Sequence, residues 1–321
     1  MAFRDVSLIA HVDWSVNPTK CWVAVAAKQP DRHWIITELN NVSAPGGIFR
    51  HLVSSLQVHG CVLAGFDFPI GLPIAYAQKV HITDYLSALV NFGYPDWESF
   101  YSPCDFAEEI SLHRPFYPAR PGGAKRAFLE HSLDLSFAQL YRLCEIAHDS
   151  RRSACPLFWT LGSQQVGKAA ISGWRDLLTP ALTDKSQNLT IWPFSGSLEN
   201  CCLPGNLVAL ETYPAEFYHH LGLSFTSPIL KSKRCHQDRL SFAEPLLSWA
   251  QSHNIHLKPG VRSDILDGFG DCPEGEDRFD ALVGLYGMIN VVQGHHPTGE
   301  PLAPYLSKIE GWIFGQEGHH R

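Results

Sequence analysis

The chain has 321 residues, 45% of them hydrophobic and 18% charged, with a formal net charge of −7. That balance excludes a disordered chain and leaves ample apolar surface for a core. It also excludes a generally basic surface, so any grip on nucleic acid has to be local. The length predicts about two domains, or one large domain with an insertion. Nine cysteines, with no Cys-x-x-Cys pair and set mostly in apolar segments, predict free thiols in a reducing compartment rather than disulfides or a zinc site. No basic-then-apolar leader opens the sequence, and the apolar run from Cys61 to Ala77 is interrupted by Asp67, Pro69 and Pro73. A cytoplasmic protein without a membrane span is the expectation, which makes the sequons at Asn41 and Asn188 chance matches.

In chain order, Val6 to Asp13, Cys21 to Ala27 and His33 to Leu39 read as three strands joined by short turns, which makes an antiparallel meander. An amphipathic helix follows over Ile48 to Val58, and Cys61 to Phe68 reads as a strand buried on both faces. The pattern then breaks into a long stretch rich in proline and aromatic residues, predicted as an inserted helical subdomain over residues 72–204. Its clearest helices are Phe128 to Ala147 and Gly167 to Leu182, and its clearest exposed loop is Leu112 to Gly123. Strand character returns at Leu207 to Glu211, followed by helices at Pro214 to Leu221 and His236 to His253, a polar loop from Gly260 to Gly275, and a strong helix from Asp277 to Val292. The predicted core is therefore Met1 to Gly71 with Gly205 to Gly294, and residues 295–321 form a C-terminal extension.

Four of these elements deliver an acid out of an apolar setting: Asp13, Asp67, Glu211, and Asp280 with Asp277 one turn earlier. Each acid alone can be read as a turn former or helix cap. Jointly they point to one anionic cluster of the kind that holds a hard cation such as Mg²⁺ or Mn²⁺. Asp277 and Asp280 are three apart and share a helix face.

The strand order and the acids together resemble the RNase H-like superfamily. The pieces His11-Val-Asp13-Trp-Ser15, Gly65-Phe-Asp67-Phe-Pro69-Ile-Gly71, Glu211-Thr-Tyr-Pro214, Lys231-Ser-Lys233-Arg234 and Asp277-Arg-Phe-Asp280-Ala281 are similar to a RuvC-like branch of predicted nucleases, the family catalogued as domain of unknown function 429. Tyr213 departs from that family's pattern, which carries His before the proline. The resemblance implies an α/β RNase H-like mixed sheet with flanking helices and a large helical insertion. It also implies divalent-metal-dependent hydrolysis of a phosphodiester, in nucleic acid or a smaller substrate. Asp13, Asp67, Glu211, Asp277 and Asp280 would hold Mg²⁺ or Mn²⁺, and Lys231, Lys233 and Arg234 would draw in the phosphate.

Other motifs carry less. Gly162 to Ala169 has the spacing of a phosphate-binding loop, but Ala169 stands where a hydroxyl must reach Mg²⁺, so a glycine turn beside Lys168 is the better reading. The histidine pairs His219-His220, His295-His296 and His319-His320 lack helical ligand spacing. His113, Arg114, Phe116, Tyr117 and Arg120 mix cations and aromatics as single-strand binders do, though aromatic core is the stronger expectation. There is no Gly-x-Ser-x-Gly elbow and no dinucleotide fingerprint. The competing readings are a nucleotide-binding phosphotransferase on the same fold, disfavoured by the lack of glycine turns beside Asp13, and a catalytically silent module that binds nucleic acid or protein.

Overall fold

The structure is a computed structural model, and it describes residues 3–54, 60–117, 126–148, 151–161, 165–184, 188–225, 231–301 and 303–317. Seven strands form one mixed sheet: β1 (Val6–Asp13), β2 (Trp22–Lys28), β3 (Trp34–Asn41), β4 (Cys61–Phe66), β5 (Leu189–Ile191), β6 (Leu207–Glu211) and β7 (Ile255–Leu257), in the order β5-β6-β4-β1-β2-β3-β7. The predicted meander β1-β2-β3 is antiparallel, while β4 runs parallel to β1 and β6 parallel to β4. The strands that end near Asp13, Asp67 and Glu211 are therefore neighbours, at the same end of the sheet. Among the described residues no helix is long and apolar enough to cross a membrane.

Because strand side chains alternate between faces, each central strand feeds two cores. Leu8, Ala10, Val12, Val62, Ala64, Phe66, Leu207 and Ala209 enter one core, which they share with the aromatic residues of the 72–204 stretch. Val6, Ile9, Leu63, Val208 and Leu210 enter the other, which is built around the helix Gly275–Val292. That helix is buried over nearly its whole length, as a helix enclosed on every side must be. Its approach to the sheet depends on two glycines. A Cβ on Gly284 would overlap the His11 ring on β1, and one on Gly287 would overlap the Phe217 ring.

The described residues of 72–204 share their core with the sheet. Phe116, Tyr117, Phe158 and Trp174 pack into the same cluster as the sheet, and β5 is part of the sheet itself. The predicted helix Phe128 to Ala147 is shorter in the structure: an α-helix spans Arg126–Leu133, Asp134 turns left-handed at φ 49°, and two 3-10 turns follow at Phe137–Leu140 and Leu143–Glu145. Left-handed backbone ends a helix, and aspartate is among the residues that tolerate it. Gly167 lies inside the helix starting at Val166, close against the backbone carbonyls of Leu157 and Trp159, so it is a packing glycine; Gly162 to Gln164 fall outside the described residues. In the predicted loop Leu112 to Gly123, Phe116 and Tyr117 are fully buried, and Arg120 lies outside the described residues.

Two further expectations are corrected. The helix predicted over His236 to His253 is two helices, His236–Leu240 and Ala243–Ser252; Pro245 sits in the first turn of the second, where no intrahelical N–H is required. The loop predicted from Gly260 to Gly275 contains a helix, Pro259–Leu266, with proline at its start and Val261 and Ile265 buried one turn apart. Residues 309–316, near the C-terminus, are core: Trp312, Ile313 and Phe314 are buried and Ile313 bridges in parallel to Glu211.

Gly284→Ala forces a methyl group into a ring held between the helix and β1, and neither can give way. It should destabilise the fold by about 1–3 kcal/mol, read as a lower urea midpoint with an unchanged slope.

Candidate acidic site at the strand ends

β1 and β4 pair with His11 beside Gly65 and Val12 beside Phe66, which puts Asp13 and Asp67 side by side, just past the paired residues. By alternation both face the helix Gly275–Val292. Their side chains share a hydrogen bond, and Asp67 also accepts the backbone amide of Trp14 at 2.6 Å. From the helix, Asp280 accepts a hydrogen bond from the Tyr218 hydroxyl at 3.2 Å and an ion pair from the Lys233 ammonium. Lys233 lies 3.4 Å from Glu276 as well.

Burial and crowding act together on these acids. Burial pushes the Asp13 carboxyl well up, with the charges of Asp67, Asp280 and Asp277 adding and Lys233 opposing. Asp67 is pushed up to about 6 by burial, against the pull of the Trp14 amide and the Asp13 hydrogen bond. Asp277 rises to about 7, again through burial, with Lys20 as the opposing charge. Asp280 is raised by burial despite Lys233 and Tyr218. Burial works against the charge of Lys233, but Asp280 outweighs it and holds the ammonium protonated. Directly below, the fully buried His11 is lowered to about 3 by desolvation and is neutral.

Glu211 is not part of this group. β6 pairs Glu211 with Phe66, so its side chain leaves the sheet on the opposite face from Asp13 and Asp67. There it meets the fully buried Arg142 through a two-pronged contact at 2.6 and 2.7 Å, and accepts the Ile70 amide at 2.6 Å. The same guanidinium donates to Glu145 at 2.9 Å and to the carbonyls of Ile70 and Glu310. Glu211 is a structural anion, and its charge is spent.

The basic stretch also separates. Lys233 reaches the acids, Lys231 donates to the Ser241 hydroxyl and lies over the Phe242 ring, and Arg234 pairs with Glu276. Arg239, buried, donates to the carbonyls of Gly268, Lys233 and Gly270, which fixes the loop that carries Lys233. Sequence reasoning missed Tyr218, Glu276 and Arg142. Tyr218 sits four residues after Pro214, on the short helical run that follows β6, so its place near the site was readable in principle; Arg142 carried no local signal.

Beside Asp67 opens a cleft of about 650 Å³. Its walls come from the strand ends (Trp14 to Asn17, Pro69, Thr212, Tyr213) and from the 72–204 stretch (Glu145, Cys155, Lys168). Among the histidines, His220 lies against His296 with the rings tilted and is lowered to about 4 by burial; His319 and His320 lie outside the described residues.

No protein-family model matches this chain, and no curated protein or solved structure is significantly similar to it.

Two stability predictions follow from the charges. The carboxyl pair Asp13 and Asp67 binds protons more tightly folded than unfolded. Folding therefore bears no penalty from it well below pH 4 and an increasing one as pH rises from about 4 through about 6. Asp13→Asn should raise stability near neutral pH by about 1–2 kcal/mol, with the gain vanishing below about pH 4 in a melting series. Arg142→Met leaves Glu211 and Glu145 buried and unpaired, and should cost about 3–5 kcal/mol by urea unfolding.

Proposed function

We propose that this protein is a divalent-metal-dependent phosphodiester hydrolase on an RNase H-like core, in keeping with its resemblance to the predicted nucleases of domain of unknown function 429. Supporting the fold reading is the order β3-β2-β1-β4-β6, an antiparallel meander continued by two strands parallel to the first, with the last helix packed on one face. The observation that carries the functional reading is the meeting of Asp13 and Asp67 side by side at the ends of adjacent parallel strands, with Asp280 of the last helix near enough for its charge to act on both. Acids this crowded and this buried are unstable without a cation, and a hard divalent ion suits oxygen donors.

The donor chemistry fits Mg²⁺ or Mn²⁺, and Asp277 adds a buried Oδ2 without a partner. Among the described residues, no group of three acid, histidine or cysteine side chains already converges as a ligand set. The ammonium of Lys233 meanwhile stands on Asp280. Asp13, Asp67 and Asp280 would hold the ion, with Asp277 in support, once Lys233 turns aside; its side chain is 32% exposed and has solvent to turn into. When bound, the ion polarises a phosphoryl oxygen and makes water a stronger nucleophile. Tyr218 keeps Asp280 oriented, and the released Lys233 ammonium would stand close enough to meet an incoming phosphate.

One observation favours a second reading, a catalytically silent binding module. Lys233 already supplies a cation to the acids, so the site is partly neutralised without metal.

Titration calorimetry with Mn²⁺ on the wild type and Lys233→Met, alongside a cleavage assay, separates the two. The hydrolase reading expects Mn²⁺ binding that tightens in Lys233→Met, and cleavage that falls at least about a hundredfold in Asp13→Asn and Asp67→Asn. Glu211→Gln should lose stability, with any residual fold still binding Mn²⁺. Absence of Mn²⁺ binding at millimolar concentration in both the wild type and Lys233→Met would leave the silent module.

A further inference from the structure

The cleft beside Asp67 has a composition that selects its occupant. Five of its lining residues are charged: Asp67, Arg142, Glu145, Lys168 and Glu211. Arg142 is consumed by Glu211 and Glu145, so these three leave no usable positive charge. Lys168 is different. It stands in the helix that begins at Val166, half-buried on the cleft wall, and among the described residues its side chain makes no ion pair or hydrogen bond. An uncommitted ammonium in this cavity, next to the acidic pair, is the recognition element of a small anion-bearing ligand.

Resting on the hydrolase reading above, we infer that the substrate is a nucleotide-sized phosphodiester. It would sit in this cleft with one anionic group on Lys168 and its scissile group toward Asp67, and it is not a continuous duplex. The volume of about 650 Å³ lies in the range of pockets that enclose small ligands. A duplex needs many phosphate contacts at once, typically about six to ten. Here the concentrated basic stretch offers little: Lys231 is engaged by Ser241 and Phe242, Arg234 by Glu276, and Lys233, paired with Asp280 and Glu276 at rest, adds one charge at the acids once released. One free lysine suits one phosphate.

The test uses the full chain and three probes: the 5′-phosphorylated dinucleotide of thymidine, a single strand of about twenty nucleotides, and the same strand as a duplex. Binding is measured by calorimetry in EDTA, where no metal-dependent cleavage can occur, and cleavage is measured separately in Mn²⁺. The expected result is that the dinucleotide binds at least as tightly as the duplex. Lys168→Met should weaken that binding about tenfold or more, and Lys168→Arg should restore most of it. In Mn²⁺ the Lys168→Met defect should appear in KM while kcat stays close to the wild type. Equal dinucleotide binding by wild type and Lys168→Met, tighter binding of the duplex, or no binding of the dinucleotide to the wild type each overturns the inference. Lys168-dependent binding without cleavage in Mn²⁺ supports the cleft as a site for such a ligand and removes the hydrolase reading instead.

Discussion

The guanidinium of Arg142 is the contact on which the rest of the arrangement rests. It lies wholly out of solvent and binds Glu211 at the end of β6, Glu145 one turn along, and the carbonyls of Ile70 after β4 and Glu310 near the C-terminus. A buried charge is tolerable only when its donors are all engaged, and this one engages four separate parts of the chain. Glu310 reinforces the joint by accepting the amides of Ile74 and Leu143. The 72–204 stretch, the strand ends and the C-terminal segment are thereby locked in one register. The cleft and the acidic group owe their relative position to that lock.

The sheet itself was largely legible in the sequence, because alternation and turn residues are local signals. The meander, β4 and β6 lie where the pattern puts them. β5 and β7 are three residues each, too short to show a period, and they exist only because a neighbouring edge accepts them. Among the acids, the deciding variable was parity. Asp67 falls one position beyond Phe66, and Glu211 falls beside Phe66, so one residue of register sends them to opposite faces. Sequence alone offers no register for a parallel pair separated by a long insertion. The partner that claims Glu211 is equally remote, since nothing local to Arg142 marks it as the counter-ion of a strand far ahead.

Lys233 shows the other limit of sequence reading. As part of a basic run it looks like a phosphate contact, whereas in the fold its ammonium is drawn onto Asp280 from a loop whose backbone Arg239 holds. Charge runs describe what a segment offers, and the fold decides what it is offered to. The acids supply the demand: their burial makes any nearby cation valuable, and Lys233 is the cation within reach.

The burial of the helix Gly275–Val292 has a bearing on how the protein is made. This helix is the largest single contributor to one face's core and carries Asp280 against a strand that left the ribosome almost a full chain length earlier. Until it emerges, the core of Ile9, Leu63, Val208 and Leu210 is incomplete, and Asp13 and Asp67 have no opposing acid from Asp280. Contacts of such long sequence separation form slowly and leave sticky surface exposed while they wait. A nascent chain cut short before this helix is therefore at once aggregation-prone and without its acidic group, so that quality control of synthesis and assembly of the site coincide in one late event.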